Sequence, residues 1–291
     1  MQKNIFKVSK PSKLMEFLIE NMPEKSRKAV KSLLSHKMIS VDGRAVTQFD
    51  HPLKPGQEVT VNAVKTFSEN IKGLKILYDD ESLIVIDKES GLLSVASENE
   101  KEKTAYRILS DNLKKNSPDG KIFAVHRLDR DTSGVMMYAK SALVRDELQE
   151  NWETIVIDRI YIAVIEGSIE KPEGRIISWL KENKNLAMYS SKIPGDGQKA
   201  VTTYKMLKKN DKFSLIELRL ETGRKNQIRV HMKDIGHPIA GDLKYGSSSN
   251  PLRRLCLHAY KLSFIHPVTK KEMSFTSKIP YKFSDLFIKK K

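Results

Sequence analysis

The alternation of apolar and charged residues in FSLIELRLETG (213–223) restricts the fold of this chain more than any other pattern. It is the period-two pattern of a strand that buries one face and leaves the other in solvent. Apolar runs at 83–86, 123–128, 135–139 and 158–167 also have the character of strands. Helical spacing occurs in segments placed irregularly between them. We therefore expect an α+β fold rather than a doubly wound α/β sheet.

Three helices are predicted among these strands. Apolar residues recur at helical spacing before the turn-rich segment NSPDG (116–120). A second helix is expected after Ser141, a residue type that favours the N-cap position. In NQIRVHMKDIG (226–236) the pattern becomes helical, with Asn226 as the predicted N-cap and Gly236 as the predicted end.

The first 65 residues predict a small unit of their own. One helix starts near Leu14, Ser26 is the predicted N-cap of a second, and Asp42-Gly43 is the turn of a hairpin before a last strand at 55–61. The basic residues of the second helix are Arg27, Lys28 and Lys31. This order of helix, basic helix, hairpin and strand resembles the alpha-L RNA-binding module, first named from a small-subunit ribosomal protein. A small α+β unit with a solvated basic helix is the alternative.

The boundaries of the units are suggested by the polar segment KTFSENIKG (65–73), which has the composition of a linker. We expect an N-terminal module at 1–65, a linker at 66–73 and a second domain at 74–291.

The charge balance favours a polyanionic partner. The chain has 52 basic and 36 acidic residues, a net charge of +16, and such a surplus attracts nucleic acid. A basic surface without such a partner is the equally open alternative. No apolar run approaches the roughly 18 residues of a membrane helix. The single cysteine, Cys256, has no intramolecular disulfide partner, so we expect a cytoplasmic protein with no membrane association.

The motifs of several reaction classes are missing from the sequence. The seven histidines and one cysteine show no metal-ligand spacing, and no glycine-rich loop has the context of a phosphate-binding site. We therefore expect a reaction that needs neither a metal nor a nucleotide cofactor.

The segment HRLDRDTSG (126–134) contains the candidate catalytic carboxylate. Asp129 lies between Arg127 and Arg130, whose positive charges favour the ionised form. An ionised carboxylate suits a nucleophile or a base better than a general acid. Asp131 precedes Thr-Ser-Gly and is explained by the turn. A charged loop between two strands is the competing explanation for the whole segment.

Five motifs, the last of them in two segments, resemble in order those of the RluA-type pseudouridine synthases, and HRLDRDTSG resembles the central one. The others are LIVIDKESGLLSV (83–95), IYIAVIEG (160–167), ETGRKNQIRVHM (221–232) and the closing pair IAGDLKYG (239–246) and LHAYKLSFIHP (257–267). The resemblance covers about 74–291. It implies the pseudouridine synthase fold, a central, mostly antiparallel mixed sheet flanked by helices, behind the small N-terminal α/β RNA-binding module.

The resemblance also implies roles for three residues. Asp129 would be the catalytic aspartate, Tyr161 would lie against the target base, and Arg229 would pair with Asp129. Isomerising uridine exchanges bonds within one nucleotide and therefore requires no cofactor. The target base must leave its stack, and an aromatic face can hold it. Whether the carboxylate attacks the sugar or removes a proton from it stays open.

Two positions depart from the pattern of that family. Asn226 stands where the family commonly has histidine, and Glu89 stands where it commonly has proline. We expect neither to touch the three catalytic residues, although both weaken any inference about RNA contacts there.

The expected function is that of an RNA pseudouridine synthase, with ribosomal RNA favoured over transfer RNA as substrate and no obligate protein partner. One alternative is a non-catalytic RNA-binding or ribosome-assembly factor. A metal-free glycosidase-like hydrolase is the other, and it would need a second carboxylate across the site. The residues expected to contact RNA are Arg27, Lys28, Lys31, Arg44, Arg127, Arg224 and Lys225.

Overall fold

The computed structural model describes residues 3–23, 25–35, 38–62, 70–98, 100–117 and 119–288. The chain divides into two compact units, 1–66 and 67–291.

The first unit contains a small antiparallel sheet and two helices. Its elements are β1 (Lys3–Lys7), β2 (Ser12–Lys13), α1 (Leu14–Asn21), α2 (Arg27–Ser35), β3 (Ile39–Val41), β4 (Arg44–Ala45), β5 (Pro52–Leu53) and β6 (Glu58–Asn62). Four of the strands pair in the order β1-β6-β3-β4, and β2 pairs with β5. All of these pairs are antiparallel.

Local signals in the sequence explain the helix and hairpin of this unit. The Ser26 hydroxyl accepts a hydrogen bond from the Ala29 N–H at 3.2 Å, which caps α2 as predicted. Asp42 and Gly43 both have positive φ, 51° and 79°, as a two-residue hairpin turn requires. Val30 of α2 is fully buried in the core of this unit.

The second unit contains the remaining elements. Its strands are β7 (Asn70–Ile71), β8 (Leu74–Asp79), β9 (Leu83–Lys88), β10 (Phe123–Ala124), β11 (Ser133–Ala139), β12 (Val156–Glu166), β13 (Glu173–Glu182), β14 (Met188–Ser191), β15 (Gln198–Lys209), β16 (Phe213–Leu220), β17 (Leu257–Ile265) and β18 (Glu272–Thr276). Its helices are α3 (Ala105–Asn116), α4 (Ala142–Glu150), α5 (Trp152–Ile155), α6 (Gln227–Asp234) and α7 (Tyr281–Asp285), with a 3-10 turn at Leu243–Tyr245.

The twelve strands form one mixed sheet. Its order is β14-β13-β15-β16-β12-β17-β11-β9-β8-β7, with β10 added beside β11 and β18 beside β17. Within the described ranges, β11 and β17 are the only neighbouring strands that run parallel. The predicted α+β fold with a mostly antiparallel mixed sheet is confirmed.

Helices cover both faces of the sheet around β9 and β11. On one face Leu109 of α3 packs in a cluster that includes Ile86. On the other, Leu148 of α4 packs in a cluster that includes Val85. Burial of both faces explains why β9 is a continuous apolar run in the sequence. No helix in the described part of the chain is long and apolar enough to cross a bilayer.

The predicted linker at 66–73 is wrong over its last four residues. Asn70 and Ile71 form β7, which pairs with Lys75 and Leu74 of β8 across a tight turn. Gly73 supplies that turn with a φ of 89°, which a residue with a side chain rarely adopts. The first four residues, 66–69, lie outside the described ranges.

Candidate active site

The HRLDRDTSG segment forms most of the loop between β10 and β11 and the first two residues of β11. Its middle is fixed by Ser94, whose hydroxyl donates to the Leu128 carbonyl at 2.7 Å and accepts from the Leu128 N–H at 3.0 Å. On the other side of Asp129, the Thr132 N–H donates to the Asp129 carbonyl at 3.1 Å. The backbone that carries the Asp129 carboxylate is therefore held on both sides.

Lys88 ties this loop to the end of β9. Its ammonium group is fully buried and donates to the carbonyls of Glu89, Leu92 and Arg130 at 3.0, 2.7 and 3.1 Å. Burial lowers the pKa of Lys88 to about 8, although the nearby carboxylates of Asp131 and Asp129 act in the opposite direction. All three N–H donors of the ammonium group are hydrogen-bonded to carbonyls, so this lysine fixes the loop that carries Asp129.

Arg229 connects α6 to the Asp129 carboxylate. Its Nη1 donates to Asp129 Oδ2 at 3.1 Å, while Nε and Nη2 donate to the two oxygens of Asp242 at 2.7 and 2.8 Å. Burial alone opposes the charge, but the hydrogen bonds to Asp242 and Asp129 raise the pKa of Arg229 above its usual range. The guanidinium is therefore permanently charged and held in one orientation.

Asn226 occupies the N-cap position of α6, as predicted, but its side chain does not cap the helix. Its backbone lies in the left-handed region, with φ 53° and ψ 20°, and its side chain makes no capping hydrogen bond. The amide lies instead between the Asp129 carboxylate and the Tyr245 hydroxyl. With the nitrogen toward Asp129, it donates to the two carboxylate oxygens at 2.8 and 3.2 Å, and the amide oxygen accepts from Tyr245 at 2.8 Å. The expectation that Asn226 leaves the catalytic residues untouched is wrong.

Tyr161 lies on β12 beside this cluster. It lines a cavity of about 70 Å³ together with Asp129, Arg127, Arg224 and Asn226. Burial raises the pKa of Tyr161 to about 12, so its hydroxyl stays neutral at physiological pH. The structure thus brings together the three residues that the resemblance selected.

The cluster provides one carboxylate oriented by two donors, beside an aromatic ring. In the described part of the chain, Asp129 is the only carboxylate lining this cavity. Asp242 is 1% exposed and has both oxygens bound to Arg229. A second carboxylate placed for glycoside hydrolysis is therefore not found among these residues. The described residues also include no group of three or more His, Cys, Asp or Glu that could hold a metal ion.

Comparison with known proteins identifies the family. A family model described as RNA pseudouridylate synthase matches residues 82–234. The chain belongs to this family. The Bacillus subtilis protein named uncharacterized RNA pseudouridine synthase YhcT is 33% identical over 84% of this chain and 82% of its own length. Ribosomal large subunit pseudouridine synthase D of Nitrosomonas europaea is 30% identical over 92% of this chain and 81% of that protein.

A solved structure agrees with this family. Human RNA pseudouridylate synthase domain containing 1 is 25% identical and matches with a TM-score of 0.58 over 73% of this chain and 85% of that chain. The protein is an RNA pseudouridine synthase, an isomerase, as the resemblance to the RluA-type enzymes predicted.

The predicted RNA-binding residues of the synthase domain have different surroundings. Arg127 is exposed and, like Arg224, lines the Asp129 cavity. The Arg224 Nε donates to the Lys199 carbonyl at 3.1 Å, which orients its guanidinium. Lys225 is ion-paired with Glu182, so its charge is partly neutralised. The contacts of these residues with RNA stay predictions.

The remaining predicted RNA-binding residues lie in the first unit. Arg27 and Lys31 are exposed on α2, and Arg44 is exposed on β4. Lys28 also lies on α2, but its side chain is outside the described residues. Their contacts with RNA stay predictions as well.

Two residues of the cluster, Asp242 and Tyr245, were not selected from the sequence, although both lie in the motif IAGDLKYG. Gly241 explains why that motif has a glycine before Asp242. A Cβ atom at Gly241 would lie 2.1 Å from the Arg254 carbonyl oxygen, and its φ is 82°. The two loops can approach this closely only with glycine there, and that approach places Asp242 beneath Arg229.

Proposed function

We propose that the synthase isomerises a specific uridine in ribosomal RNA and that Asp129 is its catalytic carboxylate. The observation that carries the assignment of Asp129 is its position: it is held by Arg229 and Asn226 in a cavity that Tyr161 also lines. The choice of RNA is supported by the relative from Nitrosomonas europaea, which is named for the large ribosomal subunit. Transfer RNA is the second candidate.

The roles follow from the chemistry of each group. The Asp129 carboxylate attacks the sugar or removes a proton from it, and the hydrogen bond from Arg229 orients it. The Tyr161 ring contacts the uracil, which has left its stack to enter the cavity.

The first unit acts in this proposal as an RNA-binding module. The support is its net positive charge, the exposed Arg27, Lys31 and Arg44, and the succession of helix, basic helix, hairpin and strand, which resembles that of the alpha-L module. Phosphate contacts of this kind add affinity without reading sequence. A cytoplasmic location without an obligate protein partner fits an enzyme of cellular RNA.

The test is pseudouridine mapping in unmodified ribosomal and transfer RNA pools treated with the wild type and with Asp129→Asn. We expect a single new site in ribosomal RNA with the wild type and none with the variant. Pseudouridine formed in transfer RNA alone would contradict the assignment of ribosomal RNA as the substrate. RNA binding by both proteins, with product from neither, would favour the assembly-factor alternative.

A further inference from the structure

The backbone conformation at position 226 is by itself a sufficient reason for an asparagine there. Its φ of 53° places it in the left-handed region, which asparagine tolerates better than most residues. A residue chosen only for this turn would have a dispensable side chain. The contacts of the amide indicate otherwise, since both of its ends meet buried or half-buried polar groups at hydrogen-bond distance.

The orientation of the amide follows from its neighbours. The Met188 N–H donates to the Tyr245 hydroxyl oxygen at 3.1 Å, and a backbone N–H can act only as a donor. The Tyr245 hydrogen is therefore free to point to Asn226, whose oxygen accepts it at 2.8 Å. The amide nitrogen then faces the Asp129 carboxylate, which can only accept when ionised. The reverse orientation would place two acceptors, the amide oxygen and the carboxylate, against each other.

Tyr245 also supports the second donor to Asp129. It is buried, and its ring lies under the Arg229 guanidinium, 4.8 Å from ring centroid to Cζ. One tyrosine thus fixes both side chains that donate to Asp129, through its hydroxyl in one case and its ring in the other.

We propose that Asn226 is a positioning residue for Asp129, oriented by the hydroxyl of Tyr245. The amide holds the carboxylate toward Arg229 while adding no ionisable group, whereas a histidine at this position would titrate near pH 6.5. The proposal rests on the proposed catalytic role of Asp129. It assigns a function to a position where this chain departs from the usual residue of its family.

The other charged and titratable groups near Asp129 come from several elements. Arg229 and, behind it, Asp242 face it from α6 and the start of the 3-10 turn, Tyr161 from β12, and Lys88 from the end of β9. Two further cations, Arg127 and Arg224, line the same cavity. Each of these remains unchanged in the variants below, so a change in pH dependence reports on position 226.

Two substitutions separate the backbone role from the amide role. Asn226→Gly keeps the left-handed conformation without strain and removes the amide. Asn226→Asp also tolerates this conformation but replaces the donor by a second carboxylate beside Asp129. Both are measured for kcat and KM from pH 5.5 to 9 on the RNA that the wild type modifies, and both are checked for thermal unfolding.

The expected results differ between the two variants. Asn226→Gly lowers kcat by about 10- to 100-fold, the effect of losing one hydrogen bond to a charged group, with KM changed by less than about threefold. The kcat of Asn226→Asp is lower still at pH 8 and recovers partly toward pH 6, because two adjacent carboxylates can share a proton at the lower pH. Tyr245→Phe keeps the ring under Arg229 and lowers kcat less. The double variant Asn226→Gly/Tyr245→Phe is no slower than Asn226→Gly alone, because both changes remove the same interaction.

A kcat of Asn226→Gly within twofold of the wild type, at an unchanged melting temperature, would overturn the proposal and leave Asn226 as a turn residue only. If the losses of kcat in the two single variants add up in the double variant, the Tyr245 hydroxyl does not act through Asn226, and that part of the proposal is overturned. Failure of the proposed function would look different, because Asp129→Asn would then form pseudouridine at the wild-type rate.

Discussion

Asp242 holds Arg229 more closely than Asp129 does: it accepts two parallel hydrogen bonds of 2.7 and 2.8 Å, against one of 3.1 Å to Asp129. The buried Asp242 is thus the anchor, and the remaining nitrogen of the guanidinium is presented to Asp129. The charge that faces Asp129 is therefore positioned by a second, buried carboxylate.

Asp242→Asn is expected to reduce kcat by roughly 100-fold, because a misplaced guanidinium no longer meets Asp129. It should also lower the free energy of unfolding by roughly 3 kcal/mol, since a buried ion pair loses one partner. Asp158→Asn is the matched control, because Asp158 pairs with Arg219 and Lys261 and is also largely buried, at 14% exposure. It should lower stability and leave kcat within about threefold of the wild type. Equal kcat for the two variants would refute the anchoring role of Asp242.

The lowered pKa of Lys88 predicts that the stability of the fold depends on pH. Its folded pKa of about 8 lies below the unfolded value of 10.5, so the unfolded state binds more protons between these values. The free energy of unfolding contributed by this group therefore rises with pH across that window, by roughly 3 kcal/mol in all. Urea unfolding of the wild type and of Lys88→Met, compared from pH 7.5 to 10.5, isolates this contribution. A difference between the two proteins that is independent of pH would refute it.

The same Lys88→Met substitution should slow catalysis. It leaves the carbonyls of Glu89, Leu92 and Arg130 without a donor, which loosens the loop that carries Asp129. We expect kcat to fall by about 10-fold or more while RNA affinity stays within about threefold. Single-turnover kinetics with saturating enzyme would separate the change in rate from the change in RNA affinity. A loss confined to RNA affinity would contradict the role of Lys88 in fixing the loop that carries Asp129.

Glu166 stabilises the serine-rich loop that follows the 3-10 turn. Partial burial acts to raise its pKa, but the hydroxyls of Ser249 and Ser247 and the backbone of 248–249 donate to it and lower the pKa to about 2. Since the folded pKa is depressed, the contribution is fully present above pH 4.5 and is lost as pH falls toward 2. Glu166→Gln should therefore be less stable than the wild type at pH 7, and the two should converge only as the pH falls to about 2 and below. The exposed Glu170→Gln serves as the control, and a gap at about pH 2 as large as that at pH 7 would rule out the carboxylate as its cause.

We expect the first unit to increase the affinity for RNA and to make that affinity depend on salt concentration. Removing three exposed cations by Arg27→Gln, Lys31→Gln and Arg44→Gln should weaken RNA binding and reduce the slope of log affinity against log salt by about 0.7 for each phosphate that is no longer neutralised. The rate of isomerisation at saturating enzyme should be unchanged. A triple variant of the exposed Lys208, Lys209 and Lys271 controls for net charge. Identical slopes for the two triple variants would contradict an RNA-binding module.

Strands with a regular burial pattern were predictable, and two strands with an irregular one were not. β16 has alternating burial because one face packs on the core, and α4 is announced by the Ser141 cap, whose hydroxyl accepts from the Val144 N–H at 3.2 Å. β15 was missed, because QKAVTTYKMLKK has three consecutive buried residues followed by mostly exposed ones and therefore shows no period. β13 was missed as well, since exposed apolar residues such as Ile177 break its alternation.

The site was predictable in its principal residues and not in their support. Asp129, Tyr161 and Arg229 were selected by resemblance, because their separation in sequence gives no local signal of proximity. Asn226 stands at the predicted N-cap position but does not cap the helix, because its side chain meets partners from distant segments, the Asp129 loop and the turn at Tyr245. Periodicity also gives no reason to expect that a lysine ending an apolar strand, such as Lys88, points into the protein and not into solvent.

The most direct test of the central claim compares Asp129→Asn with Asp131→Asn under single-turnover conditions on the mapped RNA. Both substitutions remove one negative charge from the same loop, but Asp131 faces Arg130 at the surface and not Arg229. We predict that Asp129→Asn lowers the rate of pseudouridine formation by at least about 1,000-fold, while Asp131→Asn stays within about threefold of the wild type. Product formation by Asp129→Asn at a rate similar to that of Asp131→Asn would contradict the assignment of Asp129 as the reacting carboxylate.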